Sequence, residues 1–262
     1  LRCATFENYR KLFGLVDAVS IAVPTNLHFK IAKEFLLNNI NILVEKPITI
    51  DPSEADELLE LAQKKGLILQ VGHVERFNAA VKVVRRFTKN PRFIECHRLG
   101  PFVKRVKDIG VVLDLMIHDI DIVLAFVNSK PQTIEAVGVK ILSDFEDIAN
   151  ARITFENGCV ADLTASRVSL ESMRKIRIFD EAMYLSLDYA SQSVLLYRKH
   201  NKKIVMKEIS IKKEEPLRAE LISFIDCVKN KKRPIVSGKE AIDALHVAVA
   251  ILDKIKCQKK YS

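Results

Sequence analysis

Residues 17–72 read DAVSIAVPTNLHFKIAKEFLLNNINILVEKPITIDPSEADELLELAQKKGLILQVG, and this stretch decides the fold. DAVSIAV, Asp17 to Val23, is short, rich in Val, Ile and Ala, and stops at Pro24-Thr25-Asn26, as a buried strand entering a turn does. NLHFKIAKEFLLNN then sets Leu27, Ile31, Ala32, Phe35 and Leu36 at helical spacing. NILVE is a second strand that runs straight into Glu45-Lys46-Pro47. Asp51 suits the N-cap of the next helix and Pro52 its first position, and Glu54 can reach back to the cap. Leu58, Leu59, Leu61 and Ala62 form its inner side, Gly66 ends it, and LILQV makes a third strand. Short buried strands joined by helices mean a parallel α/β sheet.

Ligands of such sheets sit beyond the carboxyl ends of the strands. Pro24-Thr25-Asn26 and Glu45-Lys46-Pro47 both follow strands, so both triplets are expected on that edge. The proline after Lys46 biases the lysine towards extended backbone and fixes the turn, which aims the ammonium group. A solvated turn lysine is the plainer alternative, since lysine is usually exposed.

After Gly72 the pattern changes. ERFNAAVKVVRRF is expected to be helical, RFIECHRLG a strand and GVVLDLMIHDIDIVLAFV a long helix. From Pro131 to about Ile211 strands alternate with turn signals, and ARITFENGCVADLTAS reads as a hairpin around Glu156-Asn157-Gly158. Two helices close the chain, from about Pro216 to Lys229 and from about Lys239 to Lys254. The fold class is therefore α/β plus α+β. A partial Rossmann-type parallel sheet is followed by a mostly antiparallel sheet with flanking helices. Domains are expected over 1–73 and 74–262.

Composition narrows the function. The chain of 262 residues carries a net charge of +9 with dispersed lysines, and no aromatic residues are interleaved with its basic runs. No nucleic-acid partner is expected on that pattern, whereas an anionic small substrate suits the charge. Five scattered cysteines, never in a CxxC pair, suit reduced thiols. No apolar run is long enough to span a bilayer and no signal-peptide pattern opens the sequence, so the expectation is a cytoplasmic protein without a membrane partner.

Asp114 and His118 stand four apart in the long helix, so carboxylate and imidazole share a face. Such a pair can hold the ring in one tautomer and raise its basicity, as a general base needs, or serve only as a local structural bond. HDIDI also has the His-Asp pattern of metal-dependent phosphohydrolases. His28, His73 and His97 fall in strand or strand-end contexts rather than helices, and no metal site is expected.

Taken together, VDAVSIAVPTNLHFKIAKEFL, NILVEKPIT, GVVLDLMIHDID and ELISFIDCVKNKKRPIVSGKEAIDALHVAVAI resemble the glucose–fructose oxidoreductase / inositol dehydrogenase / MocA family over essentially the whole chain. The resemblance implies a sugar oxidoreductase using NAD or NADP, with NAD favoured, and residues 1–73 as the C-terminal part of a dinucleotide-binding domain. Carried over by position, Lys46 is the catalytic lysine, His118 the acid/base and Asp114 its neighbour. Glu45 and Pro47 shape the nicotinamide end, and Pro24, Thr25 and Asn26 line the cofactor edge. GHVERFNAA and HRLG are similar to a subgroup acting on nucleotide-linked amino sugars, such as enzymes that oxidise the 3-hydroxyl of UDP-N-acetylglucosamine. Arg76, Arg98 and Arg167 then meet phosphates or sugar hydroxyls, or else brace a domain seam, and His73 and Asn78 border the pocket or the domain junction. A homodimer or homotetramer built through the antiparallel region is also implied.

Two departures stand out. Met116 occupies a position where many family members have glycine, and the chain contains no G-x-G-x-x-G. The expectation is therefore that this segment lies upstream in a longer polypeptide. The alternative is a family member that binds sugar without a cofactor.

Overall fold

In the computed structural model, which describes residues 3–102, 108–201 and 203–258, three parallel strands lie in the order in which the sequence supplies them. These are β1 (Ala18–Ile21), β2 (Asn41–Glu45) and β3 (Leu69–Gly72), linked by α1 (His28–Leu37) and α2 (Pro52–Lys65). Ile42, Leu43 and Val44 are consecutively buried, as in a strand covered on both faces. The register pairs Ile21 with Val44 and Glu45 with Gly72, so the carboxyl ends of the strands are aligned. The Asp51 carboxylate accepts the Ser53 amide at 2.8 Å and Pro52 opens α2. Gly66 closes the helix in the left-handed region at φ 64°. Ala55, Leu58 and Ala62 are the fully buried stripe of α2, while Leu59 and Leu61 are half-buried.

The chain forms two units. One runs to Gly72 and takes in Leu221–Ile242; the other holds His73–Glu220 and the chain from Asp243. In the first unit the returning segment meets β3, where the Val71 amide donates to the Val236 carbonyl at 3.1 Å. Gly238 packs against Leu69 so closely that a Cβ there would lie 2.7 Å from the leucine side chain.

The second unit is built on an eight-stranded sheet. Its strands are β4 (Phe93–Leu99), β5 (Pro131–Val139), β6 (Ile148–Phe155), β7 (Val160–Ser166), β8 (Met173–Phe179), β9 (Met183–Asp188), β10 (Ser193–His200) and β11 (Lys203–Ile209). Their order is β11-β10-β9-β8-β4-β7-β6-β5, antiparallel except for the central β4–β7 pair. Alternate residues such as Ile94, Cys96, Ala161, Leu163, Ile176 and Leu185 point to the buried face. The other face is not uniformly apolar. Cross-strand pairs Arg152–Asp162 and Arg177–Glu95 occupy its middle, beside a row of stacked rings formed by Phe93, Phe179, Tyr184 and Tyr197.

Three local expectations need correction. The helix expected from Glu75 begins instead at Ala79, giving α3 (Ala79–Phe87). The Asn78 side chain caps it by accepting the Ala80 amide at 3.0 Å, and Val74–Phe77 forms a separate 3-10 turn. The helix over GVVLDLMIHDIDIVLAFV is continuous but widens into a π turn over Val112–Met116 before α4 (Ile117–Val127). His28 is the first residue of α1, not a strand-end residue. The chain closes with α5 (Pro216–Asn230) and α6 (Gly238–Gln258), and among the described residues no helix is long and apolar enough to cross a membrane.

Candidate active site

The first group of site residues lies at the carboxyl ends of β1 and β2. Pro24 caps a 3-10 turn over Thr25–Leu27, with Thr25 buried and Asn26 exposed. Glu45 and Lys46 are half-buried at the end of β2, and Pro47 is buried behind a cis Lys46–Pro47 peptide bond. A residue absent from the expected site joins the two loops. His28 is 1% exposed, and its Nδ1 lies 2.8 Å from the Pro47 carbonyl and its Nε2 2.9 Å from the Val23 carbonyl. The turn bearing Pro24-Thr25-Asn26 is therefore fastened beside the turn bearing Lys46. Gly72, at the end of β3, completes this edge. A Cβ there would lie 2.9 Å from Oε2 of Glu45, so glycine leaves room for that carboxylate beside the backbone.

The second group lies in the other unit, around the π turn. Asp114 sits within that turn and His118 in the first turn of α4, both half-buried. π turns inside α-helices are rare and are frequently found at functional sites. The start of the helix is held by the β5–β6 loop: the Val111 amide donates to the Glu146 carbonyl at 2.9 Å and the Val112 amide to the Glu146 carboxylate at 3.1 Å. Gly110 makes room for this carboxylate, which would overlap any Cβ at that position. The His118 ring meets the buried ring of His73 edge-on, with centroids 6.2 Å apart.

The three arginines expected at the substrate are each engaged inside the second unit. Arg76 forms two hydrogen bonds to Asp121, at 2.6 and 2.9 Å. Arg98 forms two to Asp119, both at 2.9 Å, and a third to Glu75 at 3.1 Å. Arg167 donates to Asp147, to the Ile109 carbonyl and to the Ser143 hydroxyl. Burial opposes the Arg98 charge, but Asp119 and Glu75 outweigh it and raise its pKa further. Burial likewise opposes the Asp147 charge. The Ile141 and Leu142 amides, the Ser143 hydroxyl and Arg167 nevertheless hold its carboxyl well below the ordinary 3.8. Asp119 and Asp121 of HDIDI are thus arginine partners, and among the described residues no group of three or more His, Cys, Asp or Glu could hold a metal ion.

Sequence reasoning missed Glu75, Asp119, Asp121, Glu146 and Asp147 as supports. The signal for two of them was present: aspartates on the otherwise apolar IHDIDIVLAFV helix have to find cationic partners when buried.

Comparison with known proteins adds an independent finding. Residues 1–73 match a family described as oxidoreductase family, NAD-binding Rossmann fold, and residues 71–183 match the GFO/IDH/MocA C-terminal domain. A UDP-N-acetylglucosamine 3-dehydrogenase of Acidithiobacillus ferrooxidans is 37% identical over 263 residues, covering 96% of this chain and 84% of the relative. A solved structure of a UDP-N-acetylglucosamine 3-dehydrogenase from that organism aligns with a TM-score of 0.93 at 34% identity, over 97% of this chain and 84% of the other. An inositol dehydrogenase homologue from Azotobacter vinelandii, solved with NADH and myo-inositol, has a TM-score of 0.84 at 16% identity, which shows the shared fold; 96% of this chain and 80% of the other are covered.

Proposed function

The chain belongs to the GFO/IDH/MocA family of oxidoreductases, and from that premise we propose that it moves a hydride between a nucleotide-sugar hydroxyl and NAD or NADP. UDP-N-acetylglucosamine is the substrate of choice, because the relative that is 37% identical over nearly the whole chain is named for that sugar's 3-dehydrogenation. In this reading the unit that runs to Gly72 and takes in Leu221–Ile242 is the dinucleotide side and the other unit the substrate side.

The observation that carries the reading is the strand-end position of Lys46. It follows β2, whose Ile42, Leu43 and Val44 are buried, beside a turn fastened by His28. The residues at this edge suit the nicotinamide end of a dinucleotide. Gly72 lets Glu45 pack flat, and Pro24, Thr25, Asn26 and Pro47 line the same rim. When bound, the cofactor supplies hydride acceptance or donation, and NAD is favoured because residues 1–73 match a family described as NAD-binding. Lys46 donates a hydrogen bond to the reacting oxygen and steadies the negative charge that develops there. His118 takes the hydroxyl proton, and Asp114 keeps the imidazole in the tautomer that can accept it. Arg76, Arg98 and Arg167 act through the carboxylates that hold them rather than by touching phosphate.

The test is to incubate the full-length protein with UDP-N-acetylglucosamine and either cofactor, following nicotinamide absorbance and the sugar product by mass spectrometry. A 3-keto sugar formed together with reduced cofactor supports the reading. No product with either cofactor contradicts it.

A further inference from the structure

We propose that His73 is a positioning residue for His118, holding the imidazole in its working orientation by ring packing. The proposal rests on the acid/base reading of His118 given above. His73 follows β3 and is 1% exposed. Its ring plane stands at 86° to that of His118 with centroids 6.2 Å apart, within the range of edge-to-face aromatic pairs.

What makes this contact more than chance packing is the way its two supports are locked together. His73 leads into the Val74–Phe77 turn, and His118 rides on α4. Arg76 on the turn grips Asp121 with two bonds, and Arg98 on β4 grips Asp119 with two bonds while reaching Glu75 on the turn. Asp119 and Asp121 stand one and three residues beyond His118. All five charged side chains are at most 11% exposed. The end of the turn is held as well, because the Asn78 amide donates to Glu75 and to the Tyr189 carbonyl, and Arg98 lies 5.0 Å over the Tyr189 ring.

An apolar filling of this space would be at least as stable as buried charges. What paired guanidinium forks add is fixed orientation. Here the fixed orientation is that of the turn carrying His73 against the helix carrying His118. Proton transfer needs the imidazole aligned. The His73 ring, standing edge-on to it, limits how far it can turn.

The experiment compares His73→Ala, His73→Phe and His118→Asn in the full-length protein, with UDP-N-acetylglucosamine and NAD or NADP as probes and thermal melting as a check on folding. The alanine variant is expected to lose roughly tenfold or more in kcat while KM for the sugar stays within about twofold. The phenylalanine variant, which restores a flat ring, should regain most of the lost kcat. If the alanine variant does not fold, His73→Leu fills the space without a ring and takes its place. Wild-type kcat in the ringless variant overturns the proposal. So does a loss of kcat that phenylalanine fails to rescue, or a loss spread equally over kcat and KM. A His118→Asn variant with wild-type kcat overturns the acid/base reading itself, and this proposal with it.

Discussion

Lys46 owes its place to its neighbours in the chain. Val44 before it is fully buried, Pro47 after it is buried, and the carbonyl of Pro47 receives the His28 ring. The lysine backbone is therefore fixed on both sides, and its side chain leaves from the strand end. Lys46→Ala should lower kcat by about 10²-fold or more while leaving folding intact, as removal of a positioned polar catalytic group does. Lys46→Arg should not restore the rate, because a planar fork cannot take the place of a compact ammonium. Steady-state kinetics with a thermal melt checks both, and an alanine variant keeping more than half the wild-type rate would contradict the role. At this scale much was legible. The EKP triplet and the spacing of Asp114 and His118 are visible in the sequence, because strand ends and helix faces follow from local patterns. His28 was not, since its partners are carbonyls five and nineteen residues away that carry no side-chain signature.

The elements around His118 are held by ion pairs that the sequence disguised. Arg76 and Arg98 could be read either as phosphate or sugar ligands or as structural braces, because a lone arginine in a motif carries no label for its partner; the fold brings Asp121 and Asp119 to them across 45 and 21 residues. Asp121→Ala leaves the Arg76 charge buried and unpaired, and should cost about 3–5 kcal/mol in a denaturant titration. Replacing both partners, Arg76→Met with Asp121→Leu, should cost far less. Equal losses in the two proteins would show that the pair is not what holds the turn. The β5–β6 loop makes a second case. The Asp147 carboxyl is held below its ordinary 3.8, so its contribution to stability is complete above about that pH. It fades as pH falls through the lower folded-state value. Asp147→Asn should therefore be less stable than wild type near neutral pH, with the gap narrowing below about pH 3.8. A constant gap across that range would contradict the assignment. The π turn at Val112–Met116 was not legible either, because helical spacing at Asp114 and His118 reads the same whether one turn is wide or not.

For the molecule as a whole, the strand pattern revealed two sheet types but not the character of the exposed sheet face. Alternation tells which residues share a face, not which strand lies beside which, and so not which charges on that face pair. Here it carries cross-strand ion pairs and a four-ring row ending in Tyr184 and Tyr197, stacked at 4.1 Å. A homodimer or homotetramer through this face is expected, with the ring row as its apolar centre. Light scattering on the wild type should show it, and Tyr197→Asp should shift the population towards monomer. Monomer alone at micromolar concentration would contradict this.

The chemistry itself is followed most directly with UDP-N-acetylglucosamine carrying deuterium at C3, given to the full-length protein with oxidised nicotinamide cofactor. Deuterium recovered on the nicotinamide ring of the reduced cofactor, with the transfer lost in Lys46→Ala, is the expected result. Deuterium that stays on the sugar or washes into solvent would contradict hydride transfer by this protein.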